Sequence, residues 1–399
     1  MFMKERRHPF PGERAGRLPA LMLSFTFSIG FILHLLLFAT APMVSIIMEE
    51  MSLSHAEFGM VYSSSMLSLI LFRIPWGLFG DRKGYLVSLR IALPLIAASS
   101  LARTFSPHFP TLLASQIFLG LGLASVFPCL PMIVKEWAGE KSLGLATGVY
   151  ISGFAAGNAA ALGITPPLLG AMGWRSVLLL YSCLAVVLSL LWWGWAKSSI
   201  KGTAGIQREG FKKVIKDPLV WVLLLFMSSA MGSYDTLATW MPKVLEMKNF
   251  SLALASLLPL GFLLAGPVVG WTSDRWMDRK KIVLLLGIFS GASIAGINFA
   301  PLPLLPVCIF LAGFSTMGVL TITLAVPAKQ ERFSSSIGTV IGLISSLGNV
   351  GPLFMPVVFG WLIDLTGTFE SSVSFVALVA GATFLLGAGG VQGARPKSS

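Results

Sequence analysis

Three ionisable residues sit where a charge is hardest to keep. His34, Arg73 and Asp235 each fall inside a long apolar run: Leu35-Leu36-Leu37 follows the histidine, Phe72 and Ile74 flank the arginine, and Tyr234 and Thr236 flank the acid. A charge at the centre of a bilayer costs about 2.5–3.5 kcal/mol on insertion scales, so such residues face a protein interior or a wet cavity and mark functional sites. Arg73 carries a planar guanidinium, a receptor for an anion such as carboxylate or nitrate; its other use is to snorkel to the membrane surface or to pair structurally. Asp235, held away from water, can take up and release a proton, meet a cationic solute, pair with Arg73, or cap structure near the outer mouth. His34 fits a proton relay or a satisfied buried histidine equally well. Asn158 and Asn349, each preceded by a glycine, and the weaker candidates Tyr150 and Trp240 complete the binding set. The two asparagines also fit structural bonds between helices.

Other chemistries lack their residues. There is no Gly-x-Ser-x-Gly, no His-Glu-x-x-His and no Walker loop, and Gly120-Leu121-Gly122 lies in an apolar run without a third glycine in place. Cys129, Cys183 and Cys308 lie in separate apolar segments with no metal-binding spacing. We therefore expect no catalytic residue, no metal and no cofactor: not an enzyme, and not an ATP-driven pump.

The elements that must position these residues follow from composition. The 399 residues are 55% hydrophobic and 12% charged. A soluble chain carries about 25% charged residues. The sequence predicts an all-α integral membrane protein with twelve spans: 18–47, 55–80, 85–104, 108–134, 143–170, 174–196, 218–244, 251–272, 281–300, 303–328, 335–363 and 370–391. Local breakers separate them, such as Asp81-Arg82-Lys83-Gly84 and the pair Pro301 and Pro303. The layout is a tail (1–17), a six-helix bundle (18–197), a linker (198–217), a second bundle (218–391) and a tail (392–399). The linker holds Lys212, Lys213 and Lys216, a basic stretch suited to an anionic membrane surface.

Basic residues set the orientation. With both termini cytoplasmic, every Lys and Arg falls on the inner side except Arg73 within a span and Arg103, Arg175, Lys243 and Lys248 outside. Scattered between apolar runs, these charges make no nucleic-acid surface. We expect a multi-pass protein of the plasma (inner) membrane, a monomer whose partners are the lipid bilayer, a small-molecule solute and a coupling proton or counter-ion.

The two halves repeat. Gly77-x-x-x-Asp81-Arg82 ends span two, and Gly270-x-x-x-Asp274-Arg275 ends span eight, 193 residues later. Gly144, Gly148 and Gly157 recur as Gly338, Gly342 and Gly351 at an offset of 194. Six spans return the chain to its starting side, so the repeats are parallel, the plan of transporters with a cavity between two pseudo-symmetric bundles.

On these residues the chain resembles the major facilitator superfamily. The motif is Gly-x-x-x-Asp-Arg-x-Gly-Arg-Lys, met here by Gly77, Asp81, Arg82 and Gly84, with Tyr85 and Leu86 in place of the basic pair. The second copy keeps Gly270, Asp274, Arg275, Arg279 and Lys280, with Met277 for the second glycine. Gly77 would allow close helix approach, Gly84 a tight turn, and Asp81 would meet a neighbouring helix N-terminus. The resemblance implies that this loop latches the bundles on the cytoplasmic side in the outward-facing state. Phe72-Arg73-Ile74-Pro75 and the Gly-Asn pairs are similar to the nitrate/nitrite porter branch, and the wider pattern to cyanate-transporter-like proteins. The nitrate branch has a second arginine in span eight, where the offset places Gly266, so this likeness is partial. Drug/proton antiporters carry Gly-Pro in span five, where Gly157 precedes Asn158 here. Many proton-coupled members carry an arginine where Gln116 stands. The reading is a secondary transporter for a small anion (nitrate-, cyanate- or carboxylate-like) working by alternating access. The alternatives are an efflux carrier for amphipathic compounds and a non-transporting membrane sensor with the same fold.

Overall fold

The computed structural model describes residues 17–138, 142–198, 214–275, 279–327, 330–333 and 337–387. Among them there is no strand, and twelve helices are long and apolar enough to cross a membrane. They are α1 (Leu18–Met51), α2 (His55–Lys83), α3 (Tyr85–Thr104), α4 (Phe109–Trp137), α5 (Leu145–Gly163), α6 (Trp174–Trp195), α7 (Pro218–Met247), α8 (Leu252–Ser273), α9 (Lys280–Phe299), α10 (Leu305–Ala325), α11 (Val340–Thr366) and α12 (Glu370–Gly387). Helices dominate because a lipid-facing backbone must bond its own N–H and C=O groups. α1–α6 form one bundle and α7–α12 the other. We call the end holding Arg17 and Gly387 the terminal face and the opposite end the far face. The tails and most of the linker expected at 198–217, including Lys212 and Lys213, lie outside the described residues.

Sequence sets the helix ends. Ser54 and Glu57 form a reciprocal capping box that starts α2: Glu57 N–H donates to Ser54 Oγ at 3.2 Å and Ser54 N–H to Glu57 Oε2 at 2.8 Å. Gly84 has φ of 84°, the left-handed turn that only glycine adopts freely, and joins α2 to α3. The break expected at Asp81 begins only at Gly84: Asp81, Arg82 and Lys83 are the last turn of α2, where the basic pair meets the negative end of the helix dipole. The first span runs to Met51 rather than 47, interrupted at Ala41–Met43 around Pro42.

The repeat is used as a packing device. In the first bundle Gly153 and Gly157 bring α5 onto the carbonyls of Phe27 and Phe31 in α1, and in the second Gly351 brings α11 onto the carbonyl of Ser228 in α7. Gly157 and Gly351 are repeat mates, so one small residue sets the same close crossing twice. Between the bundles, helix contact is close toward the far face. There Gly59 of α2 lies on the backbone of Pro356 and Val357 in α11, Gly360 of α11 lies on that of His55 and Ala56, and Gly163 of α5 meets Ser256 in the first turn of α8. Toward the terminal face, a side chain added at Gly148, Gly266, Gly270 or Gly342 would meet nothing within 4 Å. The molecule is closed at the far face and parted at the terminal face.

Candidate solute cavity between the bundles

α11 is two helices, Ile337–Leu347 and Val350–Thr366, broken at Gly348 and Asn349 ahead of Pro352, which has no N–H to continue the ladder. At the break the Asn349 N–H turns to Ser346 O, leaving the carbonyl of Ser345 free. Two side chains take it: Asn349 Nδ2 at 2.6 Å, and across the bundle gap Arg73 Nη1, also at 2.6 Å. The guanidinium thus meets the negative end of a half-helix. Its other face stacks on the Phe127 ring of α4, 4.3 Å from the centroid. Arg73 is half-buried, and among the described residues no carboxylate pairs with it.

Asp235 is 4% exposed in the middle of α7, and no ion pair to Arg73 or to any other described cation forms. Its neighbour across the gap is Tyr62 of α2, whose buried hydroxyl lies beside the carboxyl but makes no well-formed hydrogen bond. Next to it, Tyr234 Oη accepts from Asn158 Nδ2 of α5 at 3.0 Å, and Asn158 Oδ1 is left without a partner. Asn158 therefore joins the bundles, whereas Asn349 bonds within its own helix. His34 stacks on Phe154 at 4.6 Å, and its Nδ1 is buried with no hydrogen bond of good geometry. Tyr150 packs edge-on to the same Phe154 at 5.7 Å.

Trp240 stands apart from these residues. It is fully buried one turn beyond Asp235, donates Nε1 to Pro356 O at 3.0 Å, and packs on Phe58 and Phe359. Its place is the layer that closes the far face, because its indole bridges α2, α7 and α11.

The gating motif lies on the parted face. Asp81 has no described partner, and a side chain at Gly77 would come no nearer than 3.9 Å to Pro128 Cβ, so the close approach expected of Gly77 is not made in this conformation. Arg82 is exposed, and Arg275 stacks on Trp271 at 5.7 Å. Lys280 begins α9; the side chains of Asp274 and Arg279 lie outside the described residues. Tyr85 accounts for one departure from the motif: its hydroxyl donates to the buried Glu136 at 2.6 Å, a tie from α3 to α4 that a basic residue could also make.

Sequence reasoning missed several partners. Tyr62 was overlooked, yet it precedes Arg73 by eleven residues, three turns on one face of α2. Arg103, assigned to the outer surface, is fully buried: Nη1 donates to Leu36 O at 2.8 Å and lies 3.4 Å from Gln116 Oε1, so a guanidinium from α3 stands beside the glutamine. The Ser345 carbonyl carries no side-chain signature, and only the Gly348-Asn349-x-x-Pro352 run hints at it.

The sequence profile described as the Major Facilitator Superfamily matches residues 26–326 and again 253–398. The chain belongs to this superfamily. Among its relatives, the nitrite extrusion protein of Bacillus subtilis is 26% identical over 369 residues, covering 90% of each chain. The D-galactonate transporter of Escherichia coli is 25% identical over 395 residues, covering 87% of this chain and 90% of that one. The 4-hydroxybenzoate transporter of Pseudomonas aeruginosa is 24% identical over 379 residues, covering 83% of each. The fold matches the crystal structure of a bacterial homologue of the human lysosomal transporter Spinster, in an inward-facing and unoccupied conformation, with a TM-score of 0.74 at 18% identity over 93% of this chain and 96% of that one. As a member of the major facilitator superfamily, this chain is a multi-pass membrane transport protein.

Proposed function

We propose that this protein is a secondary transporter of a small anion that works by alternating access, with Arg73 as the anion receptor and Asp235 as the site of a coupling proton. One observation carries the reading. Arg73 reaches between the bundles with no carboxylate partner among the described residues and spends one N–H on a backbone carbonyl that also has Asn349. A partly desolvated guanidinium balanced only by a helix end is well disposed to accept an anion, and the Ser345 carbonyl keeps a donor when it leaves. Among the described residues no cation pairs with Asp235, which is 4% exposed, and a buried carboxylate without a partner is a suitable site for proton exchange. The three relatives named above are each named for an anionic solute. The placement of Lys and Arg supports cytoplasmic termini in the plasma membrane, which makes the parted face cytoplasmic.

The test is binding and uptake in proteoliposomes. Arg73→Ala should weaken anion binding by about 1.5–3 kcal/mol, the scale of a hydrogen bond to a charged group, and Arg73→Lys should fall between it and wild type. Wild-type affinity in Arg73→Ala refutes the anion reading. In the same vesicles Asp235→Asn keeps the shape but cannot titrate, so uptake driven by a pH gradient should vanish while solute counterflow persists. Undiminished pH-driven uptake removes Asp235 from the coupling step.

A further inference from the structure

The surface beside Arg73 is not generic. Phe127, on which the guanidinium stacks, is 5.6 Å from Phe154 between ring centroids. Phe154 is in turn stacked on His34 and edge-on to Tyr150. Three helices of one bundle, α1, α4 and α5, thus supply a continuous aromatic wall that starts at the Arg73 cation of α2. Phe127, His34 and Tyr150 are each partly exposed, so the wall has an accessible face. Gly30 is what lets Phe154 lie against α1: a Cβ there would come within 2.9 Å of the ring.

We infer that the solute is a planar aromatic monocarboxylate, its carboxylate on Arg73 and its ring on this wall. The inference rests on the anion reading above and narrows it. One cation answers one charge: the repeat position of Arg73 is Gly266, so a dianion would leave a carboxylate unpaired. A sugar acid needs many polar side chains, and beyond Arg73 the rings of the wall carry only the His34 imidazole, whose Nδ1 is buried, and the Tyr150 hydroxyl. An inorganic anion fits Arg73 but makes no use of the rings. An aromatic acid uses both, because ring pairs prefer offset or edge-on contact, which the wall's varied ring tilts provide.

The experiment is a thermal-shift and uptake-competition series on the full chain with benzoate, cyclohexanecarboxylate, nitrate, gluconate and benzamide. Benzoate should bind about three- to tenfold tighter than cyclohexanecarboxylate, which has the same charge and similar bulk without a planar ring, and tighter still than nitrate or gluconate. Phe154→Leu should erase most of that preference, and Tyr150→Leu should reduce it. Equal or better binding of cyclohexanecarboxylate, nitrate or gluconate overturns the aromatic inference, and if that binding still requires Arg73 the anion reading stands. Benzamide binding as tightly as benzoate, or no response to any anion, overturns both.

Discussion

The far and terminal faces are built from the same helix pairs and differ in what those pairs do. At the far face α2 and α11 meet backbone to backbone through Gly59 and Gly360, and Asp364 of α11 caps the start of α2. Its Oδ1 accepts from His55 N at 3.0 Å and lies 2.7 Å from His55 Nδ1, while Oδ2 accepts from Ala56 N at 2.8 Å. A second clasp joins α1 to α7, where Lys243 Nζ donates to Ser45 Oγ at 2.7 Å and Ser45 Oγ bonds Glu246. At the terminal face the corresponding parts are idle. Gly148, Gly266, Gly270 and Gly342 face open space, and Asp81 stands at the other end of α2 without a described partner. α2 and α11 run in opposite directions, so each presents a C-terminal carboxylate, Asp81 or Asp364, to the face where the other helix begins. Small residues with no neighbour on a parted face have a use if that face closes when the far one opens. The comparison predicts two sets of contacts of which one is made at a time.

The strongest way to break this comparison is to fill a glycine on each face. Gly59→Val puts two methyl groups into the backbone of α11 and should oppose far-face closure by about 1–3 kcal/mol, the usual cost of overpacking. Gly342→Val meets open space, so it should leave the conformation seen here intact, change stability by no more than about 0.5 kcal/mol, and block the alternate one. Both variants should lose most transport for opposite reasons. Labelling of single cysteines separates them: Gly59→Val should raise far-face reactivity and Gly342→Val should lower it. A shift in the same direction for both variants ends the two-set picture.

Much of this was legible in the sequence, because membrane spans are set by composition and glycine spacing is a packing code. The offset of 194 found Gly157 and Gly351 before their shared role was visible. Arg73 and Asp235 stand out in the sequence because a charge inside an apolar run needs a reason. What stayed hidden were relations between segments. Trp240 sits one turn from Asp235, and nothing in its own neighbourhood says that it faces the closed layer rather than the cavity. Asp364 reads as an ordinary polar residue at a helix end, and its meaning comes from His55, 309 positions away. Arg103 looked like a topology signal because a cation near a span end snorkels by default; only packing shows that it turns inward to Leu36. A carbonyl such as that of Ser345 has no identity in a sequence at all.

The finest test compares the two carboxylates. Asp364→Asn keeps an oxygen for one of its two α2 amides but loses the charge and presents an NH₂ where the other amide needs an acceptor. Hydrogen bonds to a charged group are worth about 1.5–3 kcal/mol, so far-face cysteine reactivity should rise by about tenfold. Asp81→Asn removes a charge with no described partner, so thermal stability in the conformation seen here should stay within about 0.5 kcal/mol of wild type. Its effect belongs to the other conformation. If Asp81 caps the start of α11 when the terminal face closes, the variant should shift the population toward the conformation described here and lower far-face reactivity. The two substitutions are chemically identical and sit at opposite ends of an antiparallel helix pair, so their effects on one reporter should have opposite signs. The expected Asp81 shift is the smaller one, because that residue lies at an accessible helix end where solvent and salt screen its charge. Equal and like-signed effects would mean that the carboxylates act on general stability rather than on the choice between faces.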